Sequence, residues 1–187
     1  MSLKFKEVSS TPKYERIGEG LYPARVVGII DVGIQRFTDF NQNEVCKPKV
    51  VMIFELPTET IEVEEAGEII EKPRWVSKEF VISFHEKSAL IKILTGLGWK
   101  KGENLDSLIN KACMVQLGTT ANGNDKLEGV TRVPKGITVG DLYNTPMVFD
   151  MDEPDPQVFE KLPKWIKTKI TEAVNFDEEK LAADLPF

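Results

Sequence analysis

The sequence predicts a mainly β fold: a five-stranded barrel with one helix between its third and fourth strands, then a C-terminal helix and an acidic tail. Three observations predict it. Runs rich in Val, Ile and Phe recur between residues 20 and 136, separated by turn residues. One stretch of helical period lies among them. The last eleven residues are rich in acids and end in Asp-Leu-Pro-Phe.

Residues 1–19 are polar and are expected to form a flexible arm. The first strand is the β-branched run 21–33, with Gly28 inside it as the signal for a bulge or bend. A polar connection, 36–48, leads to the second strand, 49–56. The stretch 57–71 holds six acids and no base and is expected to be an acidic loop. The third strand is 75–84, where Val76, Lys78, Phe80, Ile82 and Phe84 share one face. Phe54, Phe80 and Phe84 alternate as core residues do. The helix follows from Glu86, with Leu90, Ile91, Ile93, Leu94 and Leu97 on its apolar face, His85 at its border, and Gly96 and Gly98 as stops. Trp99 is expected to cap the barrel end. Strands four (112–119) and five (126–133) flank Ala121-Asn-Gly-Asn-Asp125, strong hairpin chemistry. This order, β-β-β-α-β-β, is that of the oligonucleotide-binding (OB) fold. The barrel domain is therefore 20–136. Residues 137–176 are expected to be an extended linker and an amphipathic helix docked on the barrel and broken at Pro163, and 177–187 a tail.

Charge divides the same way. The net charge is −6, which argues at first against a nucleic-acid ligand. Residues 141–187 hold 11 acids and 5 bases, so the body 1–140 is neutral overall. Setting aside the six acids of 57–71, the rest of the body is +6. A basic platform, an acidic loop and an acidic tail are three separate electrostatic objects.

Several function classes fall away. Two cysteines, Cys46 and Cys113, and one histidine, His85, are too few for a structural zinc site. They also leave His-dependent nucleophilic catalysis without a set of partners. No cofactor is expected. No apolar run approaches the roughly 20 residues a membrane span needs, and the N-terminus lacks an apolar signal core, so a cytoplasmic protein is expected.

The body resembles a phage or prophage family of OB-fold single-stranded DNA-binding proteins. The similarity rests on Gly20-Leu-Tyr-Pro-Ala-Arg-Val-Val-Gly-Ile-Ile-Asp-Val-Gly33, Val51-Met-Ile-Phe-Glu-Leu56 and Ser77-Lys-Glu-Phe-Val-Ile-Ser-Phe-His-Glu-Lys-Ser88, with Cys113-Met-Val and Val133-Pro-Lys-Gly136 beside them. The ending Asp184-Leu185-Pro186-Phe187 resembles the acidic tip of bacterial single-stranded DNA-binding proteins, though only one acid adjoins Leu-Pro-Phe here. The resemblance implies a non-enzymatic protein that coats single strands during replication, recombination and repair. It further implies that Asp184, Leu185, Pro186 and Phe187 recruit replication and recombination proteins. The physics suits that role: the Phe187 ring can fill an apolar pocket while its α-carboxylate pairs with a cation at the rim. A homo-oligomer is compatible with the same pattern.

Single-strand binding without sequence preference needs cations for phosphates and rings for bases. OB domains place the strand across their second and third strands and flanking loops. The candidates are Tyr22 and Arg25 on strand one, Arg36 and Phe37 (with Phe40 nearby) in the first connection, and Lys47 and Lys49 at strand two. Arg74, Trp75 and Lys78 follow on strand three, and Lys126 and Arg132 on strand five. Trp75 and Phe37 lead as stacking residues, and Arg25, Lys47, Lys49, Arg74 and Lys78 as phosphate contacts. The tail is expected to cover this groove in the absence of DNA, so that deleting 177–187 tightens binding at low salt. The competing expectation is an interaction or virion-associated β-barrel that works through 57–71. A Mg²⁺ nuclease built on Asp31, Glu55 and Glu79 is a third, without a marked spacing.

Overall fold

A computed structural model describes residues 15–183. Its strands are β1 (Gly20–Thr38), β2 (Glu44–Glu65), β3 (Glu68–Val81), β4 (Ala112–Thr119), β5 (Asp125–Thr131) and β6 (Met147–Phe149). Helix α1 (Ala89–Gly96) and a 3-10 turn (Leu105–Leu108) lie between β3 and β4. Helices α2 (Pro156–Lys161), α3 (Lys164–Thr171) and α4 (Glu178–Ala183) follow β6. The fold is mainly β: one open sheet in the order β3-β2-β1-β4-β5, all neighbours antiparallel, with β6 added to β1 in parallel. No helix among the described residues is long and apolar enough to cross a membrane.

β1 organises the sheet. Residues 20–25 pair with β4, 28–30 pair with β6, and β2 runs along it from Arg25 to Thr38. The ladder slips between Val26 and Gly28 and between Asp31 and Ile34, so the strand bends twice. The first slip falls at the glycine that signalled it. A Cβ on Gly28 would lie 3.0 Å from the Ile53 Cδ1 atom, so β2 approaches closely there.

Both faces of β1 and β2 are covered, which explains their unbroken apolar runs. On one face Val26, Ile29, Val50, Met52, Phe54 and Leu56 meet α1 and strands β4 and β5. Helix α1 starts at Ser88, whose side chain accepts from the Ile91 N–H, and buries Leu90, Ile93 and Leu94. Gly96 ends it against β5: a Cβ there would sit 2.0 Å from the Val130 carbonyl oxygen. On the opposite face Val27, Ile30, Val51 and Ile53 meet Phe149, Leu162, Ile166 and Ile170. Ile166 and Ile170 are wholly buried, each contributing about 1.5–3 kcal/mol.

Several expectations are corrected here. Residues 137–176 carry the docked, Pro-broken helix expected of them, as α2 and α3 over the second face, but the stretch read as linker also supplies a strand, β6. The break at Pro163 is present, with Leu162 extended before it and α3 starting after it. The acidic stretch 57–71 is not a loop but the outer half of a β2–β3 hairpin, paired to Glu65 opposite Glu68. Ala66 and Gly67 both take positive φ, as a two-residue type I′ turn requires. The period-two alternation of Ile61 and Val63 with Glu62 and Glu64 was the available signal. Phe84 is exposed rather than core, because β3 stops at Val81; its ring stacks on Trp99, 5.7 Å between centroids.

The arm is docked from residue 15 onward. Ile17 packs into the first core, and the Ile17 and Gly18 N–H groups donate to Asp125 at 2.7 and 3.0 Å. Arg16 donates to Thr119 at 2.8 Å, and Arg74 donates to the Glu15 carbonyl. These residues thus run between β3 and the β4–β5 hairpin, the open side of the sheet. Across the same opening Lys78 Nζ donates to the Leu127 carbonyl at 3.1 Å. At the other terminus α4 occupies part of the expected tail, and Leu181 packs against the second core.

Candidate nucleic-acid interface

Alternation on β2 puts Lys47, Lys49 and Glu55 on the face that carries the second core. Cross-strand pairing extends that face to Phe37 and Gln35 on β1, opposite Val45 and Lys47, and to Trp75, Ser77 and Glu79 on β3. Trp75 and Val81 stand six residues apart, about 20 Å along the strand. Helix α3 flanks this strip: Lys169 Nζ lies 2.7 Å from Glu79, and the Gln35 side chain donates to the Lys169 carbonyl at 2.8 Å. The strip thus runs from Trp75 past Glu79, Lys49 and Lys47 to Phe37, with α3 as its wall.

Four of the sequence candidates gather on it. Trp75 is 36% exposed, enough to offer a ring face at the surface. Phe37 is half-buried under Lys49, whose Nζ sits 4.0 Å from the ring centroid. Lys49 pairs with Glu79 at 2.6 Å, and Lys47 is exposed. Arg36, between Gln35 and Phe37, projects from the opposite face, where it is exposed and pairs with Glu44 at 3.2 Å.

The others lie elsewhere. Arg25 is a clamp rather than a free cation: it donates to the carbonyls of Gly140 (2.7 Å), Asn110 (2.8 Å) and Val139 (3.1 Å). Next to it Glu55, fully buried, accepts from Tyr143 N at 2.6 Å, Asn144 N at 3.1 Å and Asn144 Nδ2 at 2.7 Å. Together Arg25 and Glu55 staple 139–144 to the sheet. Tyr22 holds the arm through Gly18 and Ile17 carbonyls at 3.1 and 3.2 Å, and Arg74 holds Glu15. Lys78 points into the first-core face at the β3–β5 opening. Burial pulls its pKa down, repulsion from Lys126 adds to that, and Glu128 opposes both. Lys126 is exposed on β5, and Arg132 shares a surface hollow with Lys111 and Gly98 beyond α1. Asp184, Leu185, Pro186 and Phe187 lie outside the described residues.

Burial pushes the Glu79 carboxyl up, but Lys169 and Lys49 outweigh it and hold Glu79 below the usual carboxylate range. Asp31, the third acid of the nuclease expectation, sits apart; desolvation raises its pKa and Asp150 and Asp152 reinforce the rise against bonds from Gly33 and Met151. No group of three potential metal ligands occurs among the described residues.

Three residues stood outside the chosen candidates: Phe40, named only beside Phe37, and Trp165 and Lys169. Phe40 is fully exposed at the β1–β2 tip. The turn that presents it is held by Asp39, whose Oδ1 accepts from Asn41 N and Asn43 N, both at 2.9 Å. Trp165, 45% exposed, and Lys169 lie one turn apart on α3 and so share a flank. Their signal was the spacing Lys161, Lys164, Lys167, Lys169: four lysines and one glutamate in 156–171, a basic island that the net charge of 141–187 averages away. No family model matches the chain, and neither a curated protein nor a solved structure matches it.

Proposed function

We propose that this chain binds single-stranded DNA without sequence preference, as an OB-type barrel acting in replication, recombination and repair. One observation carries the proposal: rings (Trp75, Phe37) and cations (Lys47, Lys49) lie along one strip of β1, β2 and β3. Rings accept any base by stacking, at about 1–3 kcal/mol per base, and the cations neutralise phosphates. The strand order supports the OB reading. The sheet is open in the order β3-β2-β1-β4-β5, and the bond from Lys78 to the Leu127 carbonyl between its end strands supports reading it as a partly open five-stranded barrel. The arm 15–19 lies along that opening and helps to seal it.

The acidic tip 184–187 would recruit replication and recombination proteins through its terminal ring and carboxylate. No catalytic role is proposed. The test is titration of the full chain with oligo-dT, followed by Trp quenching across a salt series. Quenching that weakens steeply with salt is the expected result. Absence of binding at low salt would refute the proposal and favour an interaction protein working through the acidic hairpin, where Glu62 stands directly opposite Glu71.

A further inference from the structure

We propose that Lys49 and Lys169 form a phosphate seat whose resident anion is Glu79, so that α3 contributes Lys169 and Trp165 to the path of a bound single strand. This rests on the single-strand binding proposed above and names a part of the surface that the barrel alone does not supply.

The geometry is that of a two-cation seat. Glu79 Oε1 is 2.6 Å from Lys49 Nζ, and Glu79 Oε2 is 2.7 Å from Lys169 Nζ, one ammonium to each oxygen. A phosphodiester presents two anionic oxygens in the same way. The seat is built rather than incidental. Phe37 supports the Lys49 ammonium from below, and Gln35 fixes the end of α3 through the Lys169 carbonyl. It is open on the lysine side, the Lys169 side chain being 38% exposed, while Glu79 Oε2 itself is buried beneath it. One turn earlier on the same flank, Trp165 offers a ring, and Lys161 and Lys164 are exposed nearby in sequence. Lys167 is committed to Glu160 at 3.1 Å.

A carboxylate in such a seat lowers the charge that a strand meets. Arriving phosphate must share or displace it, which keeps binding reversible. Replacing Glu79 by its neutral isostere should free both lysines. Each freed cation adds about 0.7 to the magnitude of the log–log salt slope for a single strand. Glu79→Gln is therefore expected to steepen the slope by about 1.4, worth roughly a sevenfold gain in relative affinity over a fourfold drop in salt. Adding Lys169→Gln to that variant should return about half of the gain in slope.

The experiment uses the full chain and labelled oligo-dT, read by anisotropy at several salt concentrations. Two single-tryptophan proteins accompany it: W75F/W99F, which keeps Trp165, and W99F/W165F, which keeps Trp75. The expected result is a steeper slope for Glu79→Gln and quenching of both reporters. A folded Glu79→Gln protein with an unchanged slope overturns the seat. So does a silent Trp165 in W75F/W99F protein that still binds the labelled oligo-dT while Trp75 is quenched in W99F/W165F, and that outcome leaves the barrel surface standing. Failure of native protein and both reporters to bind refutes the proposed function itself. If Glu79→Gln does not fold, the Trp165 reporter decides, since it leaves the seat intact.

Discussion

Replacing Asp125 with Asn should undock the N-terminal segment, and the size of the effect follows from the contacts. The Asp125 carboxylate accepts from Ile17 N at 2.7 Å and Gly18 N at 3.0 Å, and meets Arg16 at 3.4 Å. Hydrogen bonds to a charged acceptor contribute about 1.5–3 kcal/mol each, while an exposed ion pair adds about 0–1 kcal/mol. Asn retains one neutral acceptor, so the expected loss is about 2 kcal/mol. In a domain of this size that lowers Tm by about 4–8 °C. The pH dependence has a definite sign. Burial pushes the Asp125 carboxyl up, but the bonds from Ile17, Gly18 and Arg16 outweigh it and hold the pKa below the ordinary value. A depressed carboxylate stabilises the fold above its unfolded pKa, about 3.9, and that contribution is lost as pH falls through the folded value. Urea unfolding of native and Asp125→Asn protein should therefore differ by a constant amount above about pH 5 and converge below about pH 4. A constant difference down to pH 3, or a loss under 0.5 kcal/mol, would refute this account of the docked arm.

Other outcomes follow from the same structure. Trp75→Ala and Phe37→Ala should each weaken oligo-dT binding by about 1–3 kcal/mol, whereas Tyr22→Phe should leave it unchanged, because that hydroxyl holds the arm. Equal losses from all three would show that stability, not contact, is being measured. Gly96→Ala should destabilise the protein by about 1–3 kcal/mol in urea, since its Cβ would collide with the β5 backbone at Val130. A neutral effect would mean that α1 shifts freely on β5. Of the two cysteines, exposed Cys46 should react with a thiol reagent at pH 8, while Cys113, buried and pushed up to about 12 mainly by desolvation, should react only after unfolding. Two rapid thiols in the native protein would contradict the first core as described.

Local chemistry sets much of the fold. The β-branched runs, the Asn-Gly turn, the bend at Gly28 and the helix over 90–97 are consequences of residue type and period, which act over a few neighbours. The same locality explains the errors. Glu-rich 57–71 reads as a loop until the Ala66-Gly67 turn and its alternation are weighed, because charge dominates the composition there. Phe84 continues an alternation that the strand itself abandons after Val81.

The sequence by itself determined the mainly β order of elements and supplied Trp75, Phe37, Lys47 and Lys49 as ring and cation candidates. Tertiary structure alone decided which of them share a surface. Arg25, Tyr22 and Arg74 look identical to free binding residues in sequence, yet each is taken up by a backbone carbonyl many positions away or across the arm. Lys169 and Trp165 lie about ninety residues beyond β3 and reach the strip only because Ile166 and Ile170 bury α3 against β1 and β2. Pairing partners and burial are set by contacts distant in the chain, so no local pattern could have placed Lys169 on Glu79.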